Sequence, residues 1–403
     1  MHLELHLLQN FAPNCLNRDD INSPKACVFG GRRRARLSSQ CCKRAIRVSM
    51  REDDLLPADD LAVRTKRVYT EAADRLSGRH GRDRNEAVAK VKLALGSVKF
   101  APDGKKPDET QYLLFLGERE IDRLVDVVQA HWDAIELETE EQAAARKGRK
   151  GKGKKTDVPK EVATAVSGLL DGGRAADLAL FGRMVADLPE RNVDAASQVA
   201  HAISTHAVEM EMDYFTAVDD LKNRSGEGED AGAGMIGTVE FNSACYYRYA
   251  NLHLPQLLKN LQSDADLAGR AVEAYLRASV RAIPTGKQNS FAAHNPPSLV
   301  LAVLRRDAPV SLANAFADPV DVRRHTAGSL VAESVRRLDD HWTKIHAAYG
   351  SGGLERTAAV LVEPVEQAEF LTSARVGDLD TLIGSIVEAI DFAALGAAAK
   401  EGA

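Results

Sequence analysis

Nine lysines and arginines (Lys25, Arg32, Arg33, Arg34, Arg36, Lys43, Arg44, Arg47 and Arg51) fall between positions 21 and 51, with no aspartate or glutamate among them. Guanidinium forks and ammonium point charges at this density suit a ribose-phosphate backbone. From Leu37 the chain reads as a helix that Ser38 or Ser39 can cap. At about 100° per residue, Gln40, Lys43, Arg44, Arg47 and Arg51 share one arc, while Cys41, Cys42, Ala45 and Ile46 project the other way. Such a helix packs one side and offers a row of cations on the other. Because like charges at i,i+4, such as Lys43 and Arg47, repel, the row calls for an anion lying over it.

Other chemistry finds less support. There is no GxSxG, and the Cys41-Cys42 pair has no identifiable base, so no nucleophile is assigned. The five cysteines are irregularly spaced without CxxC, which argues against a disulfide framework and a zinc site and favours a reducing cytoplasm. His201 and His206, read on a helix, are about 140° out of phase and do not form an i,i+4 metal pair. Asp19-Asp20 and Asp219-Asp220 read as capped turns before they read as magnesium ligands. SGEGEDAGAGMIG (Ser225 to Gly237) has five glycines but no lysine placed for a phosphate loop, and fits a hairpin tip. RKGRKGKGKK (146 to 155) is a low-complexity cationic run, either a solvated linker or a nonspecific tether.

These groups need a scaffold, and 403 residues suggest two or three folding units. With 44% hydrophobic and 28% charged residues, collagen-like, disordered and disulfide-scaffold readings are excluded. The net charge of -5 hides a segregation, since outside 21 to 51 acids outnumber bases by fourteen. The opening MHLELHLLQNF lacks a cationic leader, and no apolar run reaches the ~18 residues of a membrane span, so neither a secretory signal nor a membrane partner is expected.

Leu3, Leu5 and Leu7 alternate with His2, Glu4 and His6, which predicts a half-buried first strand. Pro13, Pro24 and Gly30-Gly31 mark 14 to 36 as an irregular, guanidinium-rich loop. Residues 55 to 183 read as a helical insertion, with periodic stretches around 60 to 76, 84 to 95, 117 to 138 and 158 to 170. Strand alternation resumes over Thr238 to Leu252, a helix runs from about Ala265 to Ile283, and Leu299 to Leu304 is a further strand. That order suits an α+β sandwich of antiparallel sheet and helices, of the ferredoxin-like or RRM kind.

Cys15 to Arg47, CLNRDDINSPKACVFGGRRRARLSSQCCKRAIR, closely resembles the N-terminal signature of the CasC family, the repeated backbone subunit of the type I-E CRISPR complex Cascade. The resemblance continues in AHAISTHAVEMEMDYFTAVDDL (Ala200 to Leu221), GTVEFNSACYYRYANL (Gly237 to Leu252), PTGKQNSFAAHNP (Pro284 to Pro296) and SLANAF (Ser311 to Phe316). It implies an RRM-like palm (1 to 56, 184 to 210 and, with C-terminal helices, 245 to 403), helical fingers (57 to 183) and a thumb hairpin (211 to 244). Carried over by position, Arg18, Lys25, Ser38, Gln40, Lys43, Arg44 and Arg47 would grip the backbone of the CRISPR RNA (crRNA). Met184, Tyr214, Phe215 and Ile236 would wedge displaced bases or support the thumb, with Tyr214 standing where some relatives carry an indole.

The implied partners are crRNA, target DNA paired to it, further copies of the chain, other Cascade subunits and a recruited helicase-nuclease. No cofactor, metal or catalytic residue is implied. The competing expectation is an endoribonuclease of the same RRM-like superfamily (RAMP), with His2 and His6 facing out of the first strand and Asp19-Asp20 in the basic loop as its candidate groups.

Overall fold

In the computed structural model, which describes residues 1–137, 158–171, 174–185, 188–217, 235–321 and 329–401, the alternating N-terminus forms strand β1 (His2–Asn14). The Lys/Gly run at 146 to 155, Asp219-Asp220 and most of the glycine-rich segment fall outside the described residues. The chain divides into two units. The first comprises Met1–Asp53, Ser197–Leu254 and Val272–Asp391, and the second Asp54–Ala196, Pro255–Ala271 and Phe392–Ala403.

In the first unit β1 runs antiparallel between β9 (Met235–His253) and β10 (Leu299–Arg305). The sheet order is β11 (Leu354–Leu361), β10, β1, β9, β7 (Ala202–Ser204), β3 (Arg32–Leu37), β2 (Ala26–Phe29). β6 (Ser197–Val199) and β8 (Glu211–Ala217) also pair with β9. Taken along the chain, β1, helix α1 (Ser39–Glu52), β7, β9, the helix Ala265–Arg281 and β10 place their strands in the order β10-β1-β9-β7. This is the split βαβ arrangement of a ferredoxin-like fold, and the chain is α+β as expected.

The expectation of a half-buried first strand fails. Leu3, Leu5 and Leu7 are buried, but so are Glu4 and His6 on the other face. Leu5 and Leu7 line one small cavity together with Cys42 and Ile46 of α1, while Leu8 packs with Leu312, Phe316, Leu338 and Trp342, so a second layer that includes the helix Leu330–Tyr349 covers the other face. The polar groups there are paired. Glu4 accepts from Tyr249 Oη at 2.8 Å, from Arg305 Nη1 at 3.3 Å and from the Val310 amide, and His6 Nδ1 lies 2.9 Å from Tyr247 Oη.

Burial, then the Arg305 charge, pushes the His6 pKa down to about 3. The unfolded chain therefore takes up the histidine proton first, and stability falls as pH drops below about 6.5, by about 2 kcal/mol from this residue by pH 5. Denaturant titrations at pH 7.5, 6 and 5 check this: His6→Gln should flatten the slope, and an unchanged slope would remove His6 as its cause.

The irregular loop expected over 14 to 36 is also corrected, since 26 to 37 is the hairpin β2–β3, with Val28 opposite Arg33 and Phe29 opposite Arg32. Gly30 and Gly31 form its turn at φ 59° and 71°, both left-handed. Arg34 is buried, not offered to solvent. It donates to the carbonyls of Phe29 (3.3 Å), Ser204 (3.0 Å), Phe316 (2.7 Å) and Ala317 (3.3 Å). A Cβ on Gly30 would stand 1.6 Å from the Ala317 oxygen, so the hairpin lies directly on that turn. Arg34→Ala strands several buried carbonyls and is expected to cost roughly 3–5 kcal/mol, read as a lowered denaturation midpoint. A loss below about 1 kcal/mol would show that these bonds do not hold the hairpin.

In the second unit, α2 (Val68–His80), α3 (Arg84–Gly96), α4 (Glu118–Ala130) and the helix Lys160–Leu169 share a core built on Tyr69, Leu76, Val91, Leu124, Val128 and Val166. The helical reading of 60 to 76 is half corrected. Ala62–Thr65 is strand β4, paired with β5 (Leu114–Gly117), and the helix starts at Val68. Arg183 donates to Glu120 Oε2 at 2.9 Å and to the Phe115 carbonyl, a buried pair that pins the segment carrying Met184.

Candidate nucleic-acid interface

Ser38 caps α1, its Oγ accepting from the Cys41 amide at 3.3 Å while its own amide donates to Asn17 Oδ1 at 2.8 Å. The hydroxyl keeps a proton to donate. Cys42, Ile46 and Met50 anchor the helix, which leaves Gln40 and Arg44 exposed and Lys43 and Arg47 half-buried along one side. Arg18 is exposed and donates to Asn22 Oδ1 at 3.2 Å, and Lys25, half-buried, enters β2 with its amide bonded to the Asn17 carbonyl. The first unit thus carries all seven expected backbone-gripping residues, from Arg18 to Arg47, on the loop, hairpin and helix that follow β1.

Sequence reasoning missed His201. It does not sit on a helix beside His206, because the segment is the short strand β7 with its flanks. Its Nδ1 accepts from the Ser39 amide at 3.3 Å and lies 3.1 Å from Arg36 Nη1, so this ring ties β3 to the start of α1. Partial burial and the charges of Arg36 and Lys25 lower its pKa, in keeping with a neutral ring whose Nδ1 is the acceptor. The contact spans more than 160 residues, and spacing carries no signal for it.

The wedge residues occupy other elements. Tyr214 and Phe215 lie on β8, where Tyr214 opposes Thr238 and Phe215 opposes Gly237, with the Phe215 ring filling the place a Cβ at 237 would take. Ile236 pairs with Thr216 through the backbone, and its side chain lies outside the described residues. Met184 belongs to the second unit, where it is 84% exposed beside Arg64 and Leu113.

Of the groups put forward for nucleolysis, His2, His6 and Asp19 are committed elsewhere, while Asp20 is exposed. His6 is sealed in the sheet on the face away from α1, and half-buried His2 packs at a tilt against His253, ring centroids 4.7 Å apart, with its pKa pushed down to about 4, chiefly by burial. Asp19 Oδ1 accepts from the Ile21 and Ser23 amides and closes a turn. Burial pushes the Cys41 thiol up to about 11. Among the described residues no group of three or more His, Cys, Asp or Glu could hold a metal ion.

A family model described as CT1975-like protein matches residues 3–385. The chain belongs to this family. The assignment agrees with the CasC resemblance carried by the sequence blocks, and it takes in both units of this CT1975-like protein. Among solved structures, a chain of one described as "CRISPR RNA-guided surveillance complex, pre-nicking" is similar at 32% identity and a TM-score of 0.79, with 96% of this chain and 100% of that chain covered. A chain of another, described as "CRISPR RNA-guided surveillance complex", is similar at 26% identity and a TM-score of 0.70, with coverage of 97% and 100%. No curated protein sequence matches the chain.

Proposed function

We propose that this CT1975-like protein is a non-catalytic backbone subunit of a type I-E CRISPR surveillance complex, several copies of which polymerise along one crRNA. The observation that carries this reading is the similarity, over nearly the full length of both chains, to a subunit of an RNA-guided surveillance complex. The geometry supports it: a capped helix presents cations without an interleaved acid, beside a basic hairpin locked by Arg34. The first unit serves as palm, the second as fingers, and β8 with the facing part of β9 as the stem of the thumb. Each palm grips phosphates, each thumb kinks the strand at intervals, and the guide between kinks pairs with target DNA. Sequence recognition is thereby delegated to base pairing.

Cutting is left to a recruited helicase-nuclease, and other Cascade subunits complete the assembly in the cytoplasm. Among the described residues no single helix is long and apolar enough to cross a membrane. Purifying the chain from cells that carry a CRISPR array and sequencing the RNA that accompanies it tests the proposal. Uniform RNAs of guide length with repeat-derived ends are expected, and no cleavage of RNA or DNA with or without magnesium. Random cellular RNA, or specific cutting, would overturn it.

A further inference from the structure

The PTGKQNSFAAHNP block has no role in the reading above, yet with α1 it forms a groove of about 450 Å³ in the first unit. That volume falls within the range of small-molecule sites. Cys41 and Arg44 line it from α1, with Glu52 at the end of that helix, and Arg281, Gln288 and His294 line it from the block and its approach. The loop is held firmly. A Cβ on Gly286 would meet the Leu16 carbonyl oxygen at 2.2 Å, and Lys287 and Ala292, at φ 52° and 47°, bracket the single turn Gln288–Phe291 in left-handed conformations. The Gln288 amide is oriented by this loop, since its Nε2 donates to the carbonyls of Pro284 at 3.4 Å and Ala293 at 3.1 Å. Its Oε1 is buried and has no hydrogen-bond partner among the described residues.

A buried carbonyl oxygen requires a donor, and a phosphate brings none. The bases bring donors at positions that differ from base to base, whereas the ribose 2′-hydroxyl is the same on every nucleotide and is the group by which a protein tells RNA from DNA. Arg44 belongs both to the cationic row and to the groove wall, so a strand whose phosphates lie on that row leaves a sugar at the groove. Glu52 repels a phosphate from the far end. We infer that Gln288 accepts a hydrogen bond from a ribose 2′-hydroxyl of the bound strand and so makes this chain prefer RNA to DNA irrespective of sequence. This rests on the RNA-binding reading above.

The test compares the full-length wild-type chain on one short oligonucleotide sequence made as RNA, as DNA and as 2′-fluoro RNA, which keeps an RNA-like sugar pucker but cannot donate. RNA is expected to bind about tenfold or more tighter than the 2′-fluoro strand, the order of effect of an unpaired buried acceptor. Gln288→Leu should bring that ratio close to one, with affinity for DNA little changed. Equal binding of RNA and 2′-fluoro RNA by the wild type overturns the inference without recourse to any variant, and so does a ratio that survives in a folded Gln288→Leu chain. Should the variant not fold, the wild-type ratio measured with a single 2′-fluoro position moved along the strand decides: one sensitive ribose per bound copy supports the inference and none overturns it. Failure of the underlying reading looks different, because neither RNA nor DNA would then bind with a salt dependence that Lys43 and Arg44 contribute to.

Discussion

Replacing Lys43, Arg44 and Arg47 together by alanine is expected to lower affinity for single-stranded RNA by about a thousandfold, and by similar factors for unrelated sequences. Each charge-assisted bond to a phosphate contributes about 1.5–3 kcal/mol, and the lower end of that range is apt for side chains that stay partly in water. Phosphate contacts also release counterions, so the slope of log affinity against log salt should become shallower by about two units, at ~0.7 per lost contact on a single strand. The fold should persist, because the side chains that bury α1 are Cys42, Ile46 and Met50, on the other side of the helix. Binding titrations at several salt concentrations on two unrelated RNAs measure both effects. A loss confined to one sequence, or an unchanged slope, would mean that these side chains do not neutralise phosphates.

The same helix shows where sequence carried the structure. A cap, a run without acids and a period of 3.6 are local properties, and all three survive in α1. Arg33 and Arg34 show the opposite case, since they are chemically identical neighbours and only the strand's alternation sends one out and the other into a nest of carbonyls. That signal was present in ACVF and RRRARL around Gly30-Gly31, a two-residue turn between strand-like runs, but the prolines around it favour reading a loop. The second burial of β1 had no local signal at all. Its cover comes from Leu312, Phe316 and the helix Leu330–Tyr349, some 300 positions away, and alternation in β1 looks the same with or without it. For the same reason the groove at Gln288 was illegible, because it needs α1 and the 281 to 294 segment together.

The β8–β9 ribbon is where interference should be most damaging to assembly. All seven residues of β8 are exposed. Cross-strand register puts Met212 and Tyr214 on one face of the ribbon, and Phe215 with Met235 on the other. Met212, Tyr214 and Met235 are 72%, 61% and 59% exposed, so a two-stranded ribbon shows apolar side chains on both of its faces. A ribbon of this kind is marginally stable alone and is suited to being covered twice, in our reading once by the kinked strand and once by a neighbouring copy.

Burying a large apolar side chain contributes about 1.5–3 kcal/mol, so either pair is worth a hundredfold or more in the stacked assembly, where the kinked strand covers one face of the ribbon and a neighbouring copy the other. Met212→Ser with Tyr214→Ser, and separately Phe215→Ser with Met235→Ser, are therefore expected to abolish regular stacking on a long RNA. Affinity of one copy for a short RNA should fall less than about tenfold, since the cationic row of α1 is intact, and the unit's melting temperature should hardly move, since no buried core side chain is removed. Electron microscopy and mass measurement of the reconstituted assemblies, beside short-RNA titrations, separate these outcomes. Filaments of normal spacing from both variants would show that this ribbon does not join copies or kink the strand, and the thumb would have to be sought elsewhere in the chain.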